Sequence, residues 1–194
     1  SMIKPIEMVY NGYRFRSRLE VRWAVLFDGI GIRYRYEPEG FALDDGTLYL
    51  PDFQVYIPQE SRQGALSNLP ASLYVEVKGE IPIPAEDWHK VESLAEITNG
   101  TPSNPIYVVG DIPLVRNAWD IIEMEKDRRF DRRLYSLGLV TGEDRGAKFC
   151  TYQGKPALLP DGQVFDDGTI AAYQAARMAR FEHGETPQTK ATAS

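Results

Sequence analysis

Tyr49-Leu50-Pro51-Asp52-Phe53 and, after a polar stretch, Leu73-Tyr74-Val75-Glu76-Val77-Lys78-Gly79 decide how the rest of the chain is read. Asp52, Glu76 and Lys78 stand at the ends of segments that otherwise have the apolar character of buried strands, and a charge in such a place is costly unless it is paired or used. Alternate side chains of a strand share a face. Leu73, Val75 and Val77 therefore fall on one side and Tyr74, Glu76 and Lys78 on the other, with Glu76 and Lys78 roughly 6.6 Å apart along the strand. Pro51 has no N–H for a ladder and suits a strand end or bulge. The 48–56 segment is expected to form one strand, and its pairing with the 73–78 strand brings Asp52 to Glu76. Two converging carboxylates make an oxygen-rich site suited to Mg²⁺ or Mn²⁺, with waters and a substrate phosphate as further ligands. Lys78 beside it would activate or orient a water, or neutralise charge on a pentavalent phosphate.

At these residues the chain resembles the PD-(D/E)XK nuclease superfamily, the fold of type II restriction enzymes, lambda-type exonucleases, archaeal junction resolvases and the endonuclease subunit of some transposons. Pro51-Asp52 matches the first half-motif and Glu76-Val77-Lys78 the second. Ser17-Arg18-Leu19-Glu20 precedes them, as in relatives that place this glutamate at the active site. The resemblance covers about residues 10–110. It implies an α/β fold with a restriction-endonuclease-like core, a central mixed β-sheet flanked by helices, in one domain over residues 1–182. Residues 111–182 would form a helical and hairpin C-terminal extension, and 183–194 read as a mobile tail.

The resemblance also implies a function: metal-dependent hydrolysis of phosphodiester bonds, in DNA rather than RNA, as an endo- or exonuclease of phage or mobile-element type. The catalytic set would be Glu20, Asp52, Glu76 and Lys78. One or two Mg²⁺ or Mn²⁺ ions would be held by Asp52, Glu76, Glu20 and the Val77 backbone carbonyl. Arg14, Arg16 and Arg18 would contact DNA, as would Lys90, the basic residue on the helix that follows the motif. The alternative is a non-catalytic DNA-binding or assembly subunit of the same fold. All the charged motif positions are present, which favours catalysis. A glycosidase acid/base pair of Asp52 and Glu76 is a third reading, and neither chain length nor the adjacent Lys78 favours it.

Composition sets the frame. The chain has 194 residues, 43% hydrophobic and 26% charged, the values of a globular domain with a substantial core. No run approaches the ~20 apolar residues of a membrane helix, and no signal-peptide region is visible, so a cytoplasmic setting without membrane contact is expected. Cys150 is the single cysteine, which excludes an internal disulfide and a cysteine-based zinc site. The net charge of −6 argues against general affinity for nucleic acid, so a DNA enzyme would concentrate its positive charge locally or draw on a homodimer or protein partner.

The remaining elements follow from local signals. Asn11-Gly12 is a turn between Tyr10 and Tyr13. Ser17 to Glu20 has capping-box form, and Leu19, Trp23, Leu26 and Phe27 make an apolar helical stripe ending near Gly29 or Gly31. Glu20 thus has two readings, capping partner of Ser17 and active-site carboxylate. Arg14, Arg16, Arg18 and Arg22 surround the same helix start, and a solvated face is the plain reading, above all for Arg22. Residues 32–37 alternate as a strand with a tyrosine-bearing face, 41–43 form a short strand, and Asp44-Asp45-Gly46-Thr47 is a hairpin turn. Glu37 and Glu39 read as surface groups. The 58–72 segment is polar and long for a hairpin loop. Residues 85–99 form a helix and 106–110 a buried strand, which implies a parallel crossover and hence a mixed sheet. Residues 118–133 read as a helix with a charged face, 148–159 as a hairpin around Gln153-Gly154, and 170–181 as a helix.

Overall fold

A computed structural model of the chain describes residues 8–63, 67, 71–79, 84–98, 106–112, 114–116, 148–159 and 166–181. The expected helix and arginine-rich face at 118–133, the tail at 183–194 and much of the 58–72 segment lie outside them.

Strands β1 (Met8–Tyr10) and β2 (Tyr13–Phe15) pair antiparallel. Between them Asn11 and Gly12 take φ of 51° and 80°, the two left-handed residues that a tight hairpin turn requires. Helix α1 (Arg18–Ile30) begins at Ser17, whose side chain accepts the Glu20 N–H, and closes at Gly31 with φ 83°. There the Gly31 N–H reaches Asp28 O and the Ile32 N–H reaches Phe27 O, a Schellman closure. The apolar stripe read from sequence is too narrow. Val21, Ala24, Val25 and Ile30 are buried as well, and Leu19 only partly, because α1 is covered on two sides.

A four-stranded sheet lies on one side, ordered β3 (Arg33–Tyr36), β6 (Phe53–Tyr56), β7 (Ser72–Val77) and β8 (Ile106–Val109). The first two pairings are antiparallel and the last is parallel, so the sheet is mixed, as the crossover implied. Helix α2 (Ala85–Thr98) links the parallel pair. The other side of α1 meets the hairpin of β9 (Lys148–Tyr152) and β10 (Lys155–Leu159) and helix α3 (Asp167–Met178). Gly29 is where α1 and α3 come closest: a Cβ there would stand 2.9 Å from Ala172 Cβ. Polar links close the same side, with Trp23 Nε1 donating to Gly110 O at 2.8 Å, Tyr173 to Phe149 O at 2.7 Å and Arg177 to Ile112 O at 2.7 Å. Helix α3 starts three residues before the expected 170, because Asp166 caps it by accepting the Thr169 N–H.

Register assigns the two sheet faces. Tyr34, Tyr36, Phe53, Val55, Leu73, Val75, Tyr107 and Val109 join the core that contains α1 and the C-terminal hairpin. Tyr74, Ile106 and Val108 join a second, smaller cluster with Val91 and Leu94 of α2 and with Leu43 and Tyr49.

The 48–56 segment departs from expectation. It is two strands in two sheets: β5 (Leu48–Tyr49) pairs with β4 (Phe41–Ala42), and β6 begins only at Phe53. Pro51 has no N–H to continue a ladder, and the Asp52 carbonyl turns to accept the Glu37 N–H at 2.7 Å. Among the described residues no helix is long and apolar enough to cross a membrane.

Candidate functional site

Asp52 sits in the joint between β5 and β6, and its position follows from register. Phe53 pairs with Val75 antiparallel, so the residue before Phe53 arrives opposite the residue after Val75, which is Glu76. Asp52 Oδ2 accepts the Val77 N–H at 2.7 Å. Glu76 is 5% exposed, and its Oε1 lies 3.0 Å from Lys78 Nζ. The strand alternation read from sequence is therefore realised, and Asp52, Glu76 and Lys78 are brought together. Val77 enters through its N–H.

The electrostatics are those of two acids crowded under one cation. Burial, then the neighbouring Glu76 charge, lifts the Asp52 carboxyl to about 8; Glu20 adds to the rise, while the Val77 N–H and Lys78 oppose it. Burial also raises Glu76, with Lys78 and the Tyr49 hydroxyl pulling the other way. Burial alone would lower the Lys78 ammonium, but Glu76, Asp87 and Asp52 outweigh it and hold it above the ordinary lysine value. Lys78 is therefore a fixed cation at neutral pH.

Three partners were not singled out in the sequence. Tyr49, on β5, buries its hydroxyl close enough to Glu76 and Asp52 to be raised by both, burial being the larger cause. Its OH and Glu76 Oε2 each lie buried without a hydrogen-bond partner. Asp87, in the first turn of α2, has Oδ2 3.8 Å from Lys78 Nζ and Oδ1 4.0 Å from Lys90 Nζ. Lys90 thus reaches the site through Asp87, not by direct contact. Tyr36 is the third: its hydroxyl donates to Glu20 Oε2 and accepts the Arg16 N–H at 3.2 Å.

Glu20 keeps its capping role, with the Ser17 hydroxyl donating to Oε1 at 2.8 Å. It is near enough to raise Asp52 but is engaged by Ser17 and Tyr36. Among the described residues no three His, Cys, Asp or Glu side chains gather closely enough to hold a metal ion. The hard-oxygen donors at the centre are Asp52 and Glu76, and Glu76 Oε2 is a buried acceptor with nothing to accept, which suits a cation. Of the arginines near the helix start, Arg16 pairs with Glu37 at 2.6 Å and Arg22 donates to Ala179 O, a structural contact between α1 and the end of α3. Glu39, read as a surface group, accepts the Tyr74 hydroxyl at 2.6 Å.

Compared with known proteins, the sequence matches no family model and no curated protein.

Proposed function

We propose that the chain is a divalent-metal-dependent nuclease with a restriction-endonuclease-like core, acting on phosphodiester bonds of DNA. The observation that supports this reading most is the pair of buried carboxylates, Asp52 and Glu76, opposed across β6 and β7 with Lys78 3.0 Å from one of them. Two acids held together at a raised pKa form a site of unrelieved negative charge, and perturbed groups of this kind concentrate where chemistry is done.

Asp52 and Glu76 would hold Mg²⁺ or Mn²⁺, with the Val77 carbonyl as a further oxygen and Glu20 behind them. When bound, such an ion supplies neutralisation of the scissile phosphate and a more acidic water nucleophile. Lys78, kept charged by its acidic neighbours, donates to the phosphate or to the attacking water and opposes the charge that builds at the transition state. It is not the general base, because its proton is held too firmly. The Val77 N–H fixes one Asp52 oxygen and so aims the other. Asp87 steadies Lys78.

The test is cleavage of linear duplex, single-stranded and branched DNA and structured RNA with Mg²⁺ or Mn²⁺ against EDTA, using Lys78→Ala and Asp52→Ala as controls. Metal-dependent cutting lost in both variants is expected. No cutting and no Mn²⁺ binding by calorimetry would leave the non-catalytic, DNA-binding subunit.

A further inference from the structure

The sheet face that bears Asp52 and Glu76 is only half covered. Helix α2 and the β4–β5 hairpin pack on its β7–β8 half through Val91, Leu94, Leu43 and Tyr49. The β3–β6 half presents Arg33, Arg35, Gln54 and Tyr56. Both arginines are exposed, and Gln54 and Tyr56 are half-buried. Register makes this half continuous with the site: Asp52, Gln54 and Tyr56 alternate onto one face, Arg35 stands opposite Gln54, and Arg33 opposite Tyr56.

We propose that this open half-face is the track on which one strand of the nucleic-acid substrate lies as it enters the Asp52–Glu76 site, with Arg33 and Arg35 contacting its phosphates. The inference rests on the nuclease reading and adds the substrate-binding surface to it.

Charge, preparation and length support the track. In a chain of net charge −6, two adjacent exposed guanidiniums depart from the average. Among the described residues neither forms an ion pair within 4.0 Å, whereas Arg16, Lys78 and Lys90 all do. Glu39 is the carboxylate whose field reaches Arg35, and its own Oε1 is taken by the Tyr74 hydroxyl. Arg33 is held ready, its Cζ 4.8 Å from the centroid of the Tyr56 ring, and Tyr56 is fixed by donating to Gln54 Oε1 at 3.0 Å. Arg35 donates to Pro38 O at 3.5 Å. A guanidinium stacked on an aromatic face keeps its edge N–H groups for phosphate. From Asp52 to Tyr56 the strand advances about 14 Å, the rise of about four phosphates along one strand of a duplex.

The experiment measures binding of a fluorescent duplex with phosphorothioate linkages in Mn²⁺ over a series of NaCl concentrations, for the wild type, Arg35→Gln, Arg33→Gln/Arg35→Gln and Arg33→Lys/Arg35→Lys, with thermal melts of each. Loss of two phosphate contacts is expected to reduce the slope of log K against log salt by about 1.8 in the double glutamine variant and about 0.9 in the single one. The lysine variant should keep most of the slope, and the melts should be unchanged because these side chains are exposed. A wild type that cuts and binds DNA, with glutamine variants of the same slope and affinity, overturns the track and leaves the nuclease. A wild type that neither cuts nor binds nucleic acid removes the nuclease reading and the track together.

Discussion

The Val77 N–H, lying between Glu76 and Lys78 in the chain, is bonded to the carboxylate of Asp52 rather than to a neighbouring strand. One backbone donor thereby ties the two halves of the motif together, and Asp52 is held against Glu76 even though burial and the Glu76 charge oppose its ionisation.

That opposition has a pH signature. Asp52 has a folded-state pKa of about 8, against about 3.9 in an unfolded chain, so between these values the folded state binds the extra proton. The metal-free protein should therefore lose stability as pH rises from about 4 to about 8. Asp52→Asn should flatten the profile and melt higher than the wild type at pH 8, by about 2–4 °C per kcal/mol of relieved repulsion. Melts in EDTA across this range check it, and a wild-type profile that rises with pH would contradict it.

Lys78 should separate metal binding from chemistry. Removing a cation 3.0 Å from Glu76 makes the acidic pair a better cation site while deleting the transition-state donor. Lys78→Ala should bind Mn²⁺ at least as tightly as the wild type and cut about 10²–10³-fold more slowly. Calorimetry beside single-turnover cleavage decides it. Weakened Mn²⁺ binding would point to a collapsed site instead.

Tyr36→Phe removes the donor to Glu20 Oε2 and the acceptor of the Arg16 N–H. Each lost hydrogen bond costs about 1 kcal/mol, a fall in Tm of about 2–4 °C per kcal/mol. If Glu20 supports the site, cleavage should fall beyond what the melt explains at the assay temperature. Parallel rates and melts measure both.

Gly29→Ala should destabilise the protein although alanine is the better helix former. The new Cβ would meet Ala172 Cβ at 2.9 Å, and overpacking of this kind costs about 1–3 kcal/mol, more than the ~1 kcal/mol gained in propensity. Combining it with Ala172→Gly should be less harmful than the sum of the two single changes. A urea-denaturation cycle gives the coupling, and strict additivity would mean that the helices are not in contact there.

What could be read from sequence was local chemistry. Asn11-Gly12, Asp45-Gly46 and Gln153-Gly154 announce their turns because left-handed backbone needs such residues. Ser17 and Glu20 announce a helix start. The convergence of Asp52 and Glu76 was legible because strand alternation and a single pairing decide it. The break at Pro51 was not, since residues 48–56 look like one apolar strand until the Asp52 carbonyl is seen to bond Glu37. Tyr49 was inside the motif, yet its approach to Glu76 depends on β5 leaving the main sheet. Nothing in local periodicity could show that α1 is buried on two sides, because its second cover comes from β9, β10 and α3, more than 100 residues along the chain.

That second cover determines where the chain can be shortened. Helix α1 holds Glu20 in its first turn and Gly29 in its last, and the surface between them is sealed by Phe149, Ala172, Tyr173 and Phe181. A fragment ending after β8 would keep every motif residue and still open Trp23 and Phe27 to water. Such a fragment should be recovered as aggregate or require refolding aids, and any transplant of the activity into another protein has to extend at least to Phe181.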